Sequence, residues 1–141
     1  MNLAEYKDVY VFAEQRDGNI QNVALELLGK ARELADPLGE KVVAILLGKG
    51  VMDKAQSLIA AGADKVLVID DAIVEHYMTE PYAQAITQIV NEQKPSILMI
   101  GATTIGRDLA PRLACKLKSG LVADCTKLAI VADETGHQEF H

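Results

Sequence analysis

The chain has 141 residues, of which 50% are hydrophobic and 24% charged, with no tryptophan and a formal net charge of −6. That composition suits one soluble globular domain whose core is built from Val, Ile, Leu and Ala. It does not suit a nucleic-acid binder, since such domains are usually basic overall. No apolar run approaches the ~20 residues needed to cross a bilayer, so membrane insertion is not expected.

The amino-terminal stretch "MNLAEYKDVYV" has neither a basic start nor an apolar signal core, so it reads as an intracellular protein, cytoplasmic if bacterial. The cysteines, Cys115 and Cys125, form no CxxC pair and lie near no histidine; both are expected as small buried hydrophobes. Charge is unevenly placed. Between Lys94 and Lys127 there are six basic and two acidic residues, against eight basic and eighteen acidic elsewhere. This local positive excess suits an anionic ligand or an acidic partner surface. Alternatively, Lys116 and Lys118 simply complement a helix carboxyl end.

In chain order, "DVYVFAE" (8–14) is expected as a strand. A helix follows, with Val23, Leu27, Leu28, Ala31, Leu34 and Ala35 at helical spacing and Pro37 and Gly39 as its stop. "KVVAILLG" (41–48) is apolar without alternation, the pattern of a strand buried on both faces. "DKAQSLIAAGAD" reads as a short helix ending at Gly62, and "KVLVID" (65–70) as the third strand. The next helix carries Ala83, Ile86, Ile89 and Val90 on one face, with Pro81 in its first turn. "SILMIGA" (96–102) is the fourth strand. "RDLAPRLACKLKSG" is a helix with Leu109, Leu113, Ala114 and Leu117 on one face, and "TKLAIVADE" opens a fifth strand.

Strands alternating with helices of this length predict an open, mainly parallel sheet of five or slightly more strands with helices on both faces. That is a Rossmann-like or adenine-nucleotide-hydrolase-like α/β domain spanning 1–141.

The segment "GATTIGRDLAPR" (101–112) lies after the fourth strand, at the sheet edge where such folds bind ligands. Gly101, Thr103, Thr104, Gly106 and Arg107 are therefore the candidate site residues. The free N–H groups of a helix start favour anions, yet the known fingerprints fail. Arg107-Asp108 replaces the Lys-Ser/Thr of a Walker loop, and neither GxGxxG nor GxSxG occurs. His76, His137 and His141 are scattered, so no catalytic or metal-binding set is read from spacing. Each candidate also has a structural reading. Gly101 and Gly106 would serve a turn with unusual backbone angles, and Thr103 or Thr104 would cap a helix. Asp108 would be an N-cap or first-turn acid, Pro111 would mark a nearby helix start, and Arg107 would pair with Asp108 or be solvated.

"LMIGATTIGRDLAPRLACKLKSGLVADCTKL" (98–128) resembles the signature segment of the electron transfer flavoprotein alpha subunit, in its amino-terminal domain. That family pattern runs G-[AS]-[TS]-x-x-G-R-[DE]-L-A-P-R-[LV]-A and then G-L-x-[AST]-D. "VYVFAEQRDGNIQNVALELLGKARELA" and "AGADKVLVID" match its opening strand and helix and its third strand.

The resemblance implies one half of an alpha subunit about twice this length, whose other half binds FAD; no flavin-binding residue of that half has a counterpart in this chain. It implies pairing with a beta subunit that holds FAD or AMP. It also implies electron transfer between acyl-CoA or other dehydrogenases and their acceptors, in some members with electron bifurcation. The 101–107 loop would then face the beta subunit's cofactor. The rival expectation is a free-standing adenine-nucleotide-binding module.

Overall fold

The computed structural model describes residues 7–119 and 127–133. Five strands form one sheet in which every pairing is parallel. They are β1 (Val9–Phe12), β4 (Val42–Gly48), β5 (Lys65–Asp70), β6 (Ile97–Ala102) and β7 (Lys127–Asp133), between which run β2 (Gln15–Arg16) and β3 (Asn19–Ile20) as a two-stranded hairpin. The sheet order is β5-β4-β1-β6-β7. The main helices are α1 (Asn22–Ala35), α2 (Ala55–Ala60), α3 (Thr79–Gln93) and α4 (Thr104–Ser119).

Most residues of the expected helical faces build the core; Ala114 is only half-buried, and the side chain of Leu117 lies outside those described. On one side of the sheet Leu27, Leu28 and Ala31 of α1 and Leu58 of α2 cover Val9, Val11, Ala44, Leu46 and Met99. On the other side Ala83, Ile86 and Val90 of α3 and Leu109 and Leu113 of α4 cover Tyr10, Phe12, Ile45, Leu98 and Ile100. The split follows from strand geometry, since successive residues point to opposite faces. All seven residues of β4 are buried, as its unbroken apolar run predicts for an interior strand. β5 lies at the edge and its residues are only half-buried or exposed.

From β1 the chain winds outward through α1 to β4 and through α2 to β5, then returns by α3 to β6 on the other side of β1. β1 and β6 are therefore neighbours whose onward connections leave in opposite directions. Their carboxyl ends frame the crevice where this fold class places ligands.

Two expectations are corrected, and one element goes beyond them. The stretch between β1 and α1, where no element is expected, holds a hairpin: Asp17 and Gly18 both have positive φ (54° and 82°), as a two-residue turn of the primed type requires. Helix α4 begins at Thr104, three residues before the expected Arg107, because Thr103 caps it. Pro111 is consequently its eighth residue and lies inside the helix, not beside its start. The expected fifth strand is β7; the "GLVAD" element before it lies outside the described residues.

Candidate functional site at the carboxyl edge of the sheet

The crevice between β1 and β6 is closed by the protein's own side chains. β1 ends at Phe12, and two residues later Glu14 is 4% exposed. β6 ends at Ala102, and Thr103, 7% exposed, follows. The Thr103 hydroxyl donates a 2.6 Å hydrogen bond to Glu14 Oε1 and accepts one of 3.0 Å from the N–H of Gly106. A hydroxyl can do both at once. The second bond satisfies one of the orphan donors of α4, so Thr103 is its N-cap. The Arg107 N–H donates to the Thr103 carbonyl at 2.8 Å, the first bond of the helical ladder. A carboxylate near a helix amino end is favoured by the aligned peptide dipoles. Glu14 supplies it from within the chain.

The first turn of α4 also sits against the end of β6. A Cβ on Gly106 would stand 1.8 Å from the Gly101 carbonyl oxygen and 3.1 Å from Ile100 Cγ2. Neither Gly101 nor Gly106 is among the glycines with positive φ. The expected unusual backbone angles are thus absent, and Gly106 is required by the close approach of two backbone segments.

Of the five candidates, Gly101, Thr103 and Gly106 are buried, while Thr104 and Arg107 are exposed. The Arg107 guanidinium has no hydrogen-bond or ion-pair partner among the described residues. The alternative pairing with Asp108 is not formed. Asp108 is the fifth residue of α4, outside the first turn, and its Oδ2 accepts hydrogen bonds from the hydroxyls of Thr79 (2.5 Å) and Tyr77 (2.6 Å). Those bonds hold the Asp108 carboxyl below the usual carboxylate range. Burial and the bond to Asp108 push the Tyr77 phenol up to about 12. One helical turn further on, Arg112 donates to Glu80 at 2.5 Å, and Lys116 Nζ lies 3.4 Å from the same carboxylate. Much of the local positive excess is thereby spent on tying α4 to the start of α3. Cys115 is exposed, against expectation, because it points away from the face that carries Leu109 and Leu113. Cys125 lies outside the described residues.

Two buried polar residues were not among the candidates. One is Glu14. The other is Gln15, 7% exposed, whose Nε2 donates to the carbonyls of Leu47 (3.0 Å) and Glu75 (3.3 Å). Its Oε1 accepts from the Gly18 N–H at 2.8 Å. Gln15 thus joins the hairpin to the end of β4 and to the loop after β5. The Asp-Gly pair was a readable signal for the hairpin; nothing local marks Glu14 or Gln15 as buried.

His76 lies 3.9 Å from Asp17, both well exposed. Among the described residues, no group of three His, Cys, Asp or Glu side chains could hold a metal ion, and no helix is long and apolar enough to cross a membrane.

Residues 9–139 match the electron transfer flavoprotein domain family. The chain is 55% identical over 130 residues to the electron transfer flavoprotein subunit alpha of Clostridium acetobutylicum, covering 92% of this chain and 39% of that protein. It is 43% identical over 123 residues to subunit LctC of the lactate dehydrogenase (NAD(+),ferredoxin) of Acetobacterium woodii, covering 87% of this chain and 29% of that protein. It therefore spans well under half the length of these relatives, and the name of the first bears out the alpha-subunit resemblance. A macrolide-efflux protein from Streptococcus pneumoniae shares the fold, with a TM-score of 0.56 at 18% identity, over 93% of this chain and 56% of that one.

Proposed function

This chain belongs to the electron transfer flavoprotein domain family, and on that premise we propose that it is the amino-terminal α/β domain of an alpha subunit. It pairs with a beta subunit, in a protein that carries electrons through FAD between dehydrogenases and their acceptors. The observation that carries this reading is the match over residues 9–139 together with 55% identity to a curated alpha subunit. The FAD of the alpha subunit is held by a part of the protein that this chain does not include. The relative named for both NAD(+) and ferredoxin favours a bifurcating complex as the wider setting, in an aqueous intracellular compartment.

The site geometry favours this partner-bound role over a free-standing nucleotide-binding module. The amino end of α4 already has an anion, Glu14, linked through Thr103, and three of the five loop candidates face inward. What the edge offers outward is Arg107, Thr104 and three exposed apolar side chains on the loops after β4 and β5. These are Met52 (64% exposed), Ile73 (64%) and Met78 (61%). Apolar groups beside a fork-shaped cation suit a protein face better than a phosphate cradle. In the heterodimer, Arg107 and Thr104 face the FAD or AMP of the beta subunit, and Gly101, Thr103 and Gly106 shape the loop that carries them.

The test is to mix the 141-residue chain with a matched beta subunit and follow complex formation by light scattering. FAD is titrated into the chain alone in parallel. A stable complex, with no tight stoichiometric FAD uptake by the chain, is expected. Tight FAD or AMP binding without the beta subunit would overturn the reading in favour of the module. Arg107→Ala should weaken retention of the beta-bound nucleotide by about 1.5–3 kcal/mol, the range for a hydrogen bond to a charged group.

A further inference from the structure

We propose that Glu14 is a positioning residue for the 103–107 loop: acting through Thr103, it fixes the first turn of α4 and with it the direction in which Arg107 is presented to an anionic group on the partner. This rests on the reading of Arg107 given above. Glu14 itself is 4% exposed, so it touches no partner. Its backbone is held at one end by β1 and at the other by the hairpin, since the Gln21 N–H donates to its carbonyl at 3.0 Å. Its carboxylate is thus a fixed point on the β1 side of the crevice. Among the described residues, the hydrogen-bonded link from that point to the β6 side runs through one hydroxyl, 2.6 Å from Glu14 Oε1 and 3.0 Å from the Gly106 nitrogen. The next N–H, that of Arg107, closes on the Thr103 carbonyl at 2.8 Å. The Arg107 side chain therefore leaves the helix in a direction set by a turn that Glu14 clamps. Hydrogen bonds to an ionised acceptor are about twice as strong as neutral ones, so a buried carboxylate makes a stiffer anchor than an amide would.

The experiment is a double-mutant cycle in the complex with the beta subunit, read as retention of the FAD or AMP bound by that subunit and, separately, as the urea midpoint of unfolding. Glu14→Gln keeps the shape and removes the charge. Thr103→Val removes the donor to Glu14 and the acceptor for Gly106, and Thr103→Ser restores both. Arg107→Ala should weaken that retention roughly ten- to a hundredfold, and either loop variant roughly five- to tenfold. The double variants should lose no more than Arg107→Ala alone, because residues acting through one another are not additive. Their effects on the urea midpoint should add. Thr103→Ser should recover wild-type retention.

If Arg107→Ala weakens retention while Glu14→Gln and Thr103→Val do not, or if the losses add, Glu14 is only a structural residue and the proposal fails. If Arg107→Ala has no effect, the reading of Arg107 fails first and the proposal with it. Should Thr103→Val not fold, Glu14→Gln and Thr103→Ser decide the question alone.

Discussion

Gly106 packs so closely on Gly101 that the backbone of α4 and the end of β6 leave no room for a methyl group between them, a Cβ on Gly106 falling 1.8 Å from the Gly101 oxygen. An alanine inside a helix ordinarily gains about 0.8–1 kcal/mol over glycine. At this position the sign should reverse. Gly106→Ala is expected to destabilise by about 1–3 kcal/mol, the usual cost of overpacking, since the obstructing atom is a backbone carbonyl and cannot swing aside. Gly29 in α1 is the internal control: nothing lies within 4 Å of a Cβ built there. Gly29→Ala should stabilise by about 0.5–1 kcal/mol. Urea unfolding of both variants checks the contrast, and equal signs would contradict the close approach.

Gln15 stands with its amide nitrogen against two carbonyl oxygens. Gln15→Glu exchanges that donor for an acceptor and sets like against like at a buried site. A loss of about 1–3 kcal/mol is expected at pH 7, the cost of leaving buried groups unsatisfied. Lowering the pH should recover part of it as the new carboxyl takes up a proton and can donate again. A Gln15→Glu protein as stable as wild type at neutral pH would mean that the Leu47 and Glu75 carbonyls find other donors.

The Tyr77 phenol, raised to about 12 in the folded protein, favours the protonated form relative to the unfolded chain, where a tyrosine ionises near 10. Its contribution to stability is therefore complete below about pH 10 and is lost as pH rises toward 12. Tyr10 and Tyr82 are also raised, chiefly by burial. Ultraviolet titration should show tyrosines ionising only on approach to alkaline unfolding, and Tyr77→Phe should remove the latest of these steps. Tyr77→Phe also strips Asp108 of one of its two donors, so the carboxyl of Asp108 should move back toward its ordinary value.

At the acid end the sign is opposite. Asp64 is depressed mainly by the Val42 N–H, Asp70 by that of Gly50, Glu80 by Arg112 and Asp108 by Thr79. Groups with folded values below their unfolded ones contribute stability above about pH 4 and lose it as pH falls through the folded values. The urea midpoint should stay level from pH 7 to 5 and drop below 4. Asp64→Asn, which keeps the shape but loses the charge facing Arg32 and Val42, should flatten that acid limb.

Local pattern was enough for most of the scaffold. The unbroken apolar run 42–48 meant an interior strand, because only a strand covered on both sides can be apolar at every position. The 3.6-residue spacing of Leu27, Leu28 and Ala31 identified the buried face of α1. Family membership was legible in the 98–128 segment, and Asp17-Gly18 carried a hairpin signal that composition alone obscured. These are properties of neighbours in the chain, and periodicity reports them directly.

The meaning of the 101–108 loop was decided elsewhere. Thr103 and Glu14 are 89 residues apart, and they meet only because the strand order places β1 beside β6. Asp108 reads as a dipole acid from its neighbours in sequence, yet its partners, Tyr77 and Thr79, lie about 30 residues earlier, at the start of α3. Gly106 is required by a contact with Gly101 that exists only once α4 folds back on its own strand. Burial patterns come from side chains answering to water one at a time, so sequence alone specified the five strands of the main sheet, its covering helices and most of the faces they bury. Which polar groups close the crevice depends on which chain ends the sheet brings together, and that follows from the long-range strand pairing, which no local run of residues contains.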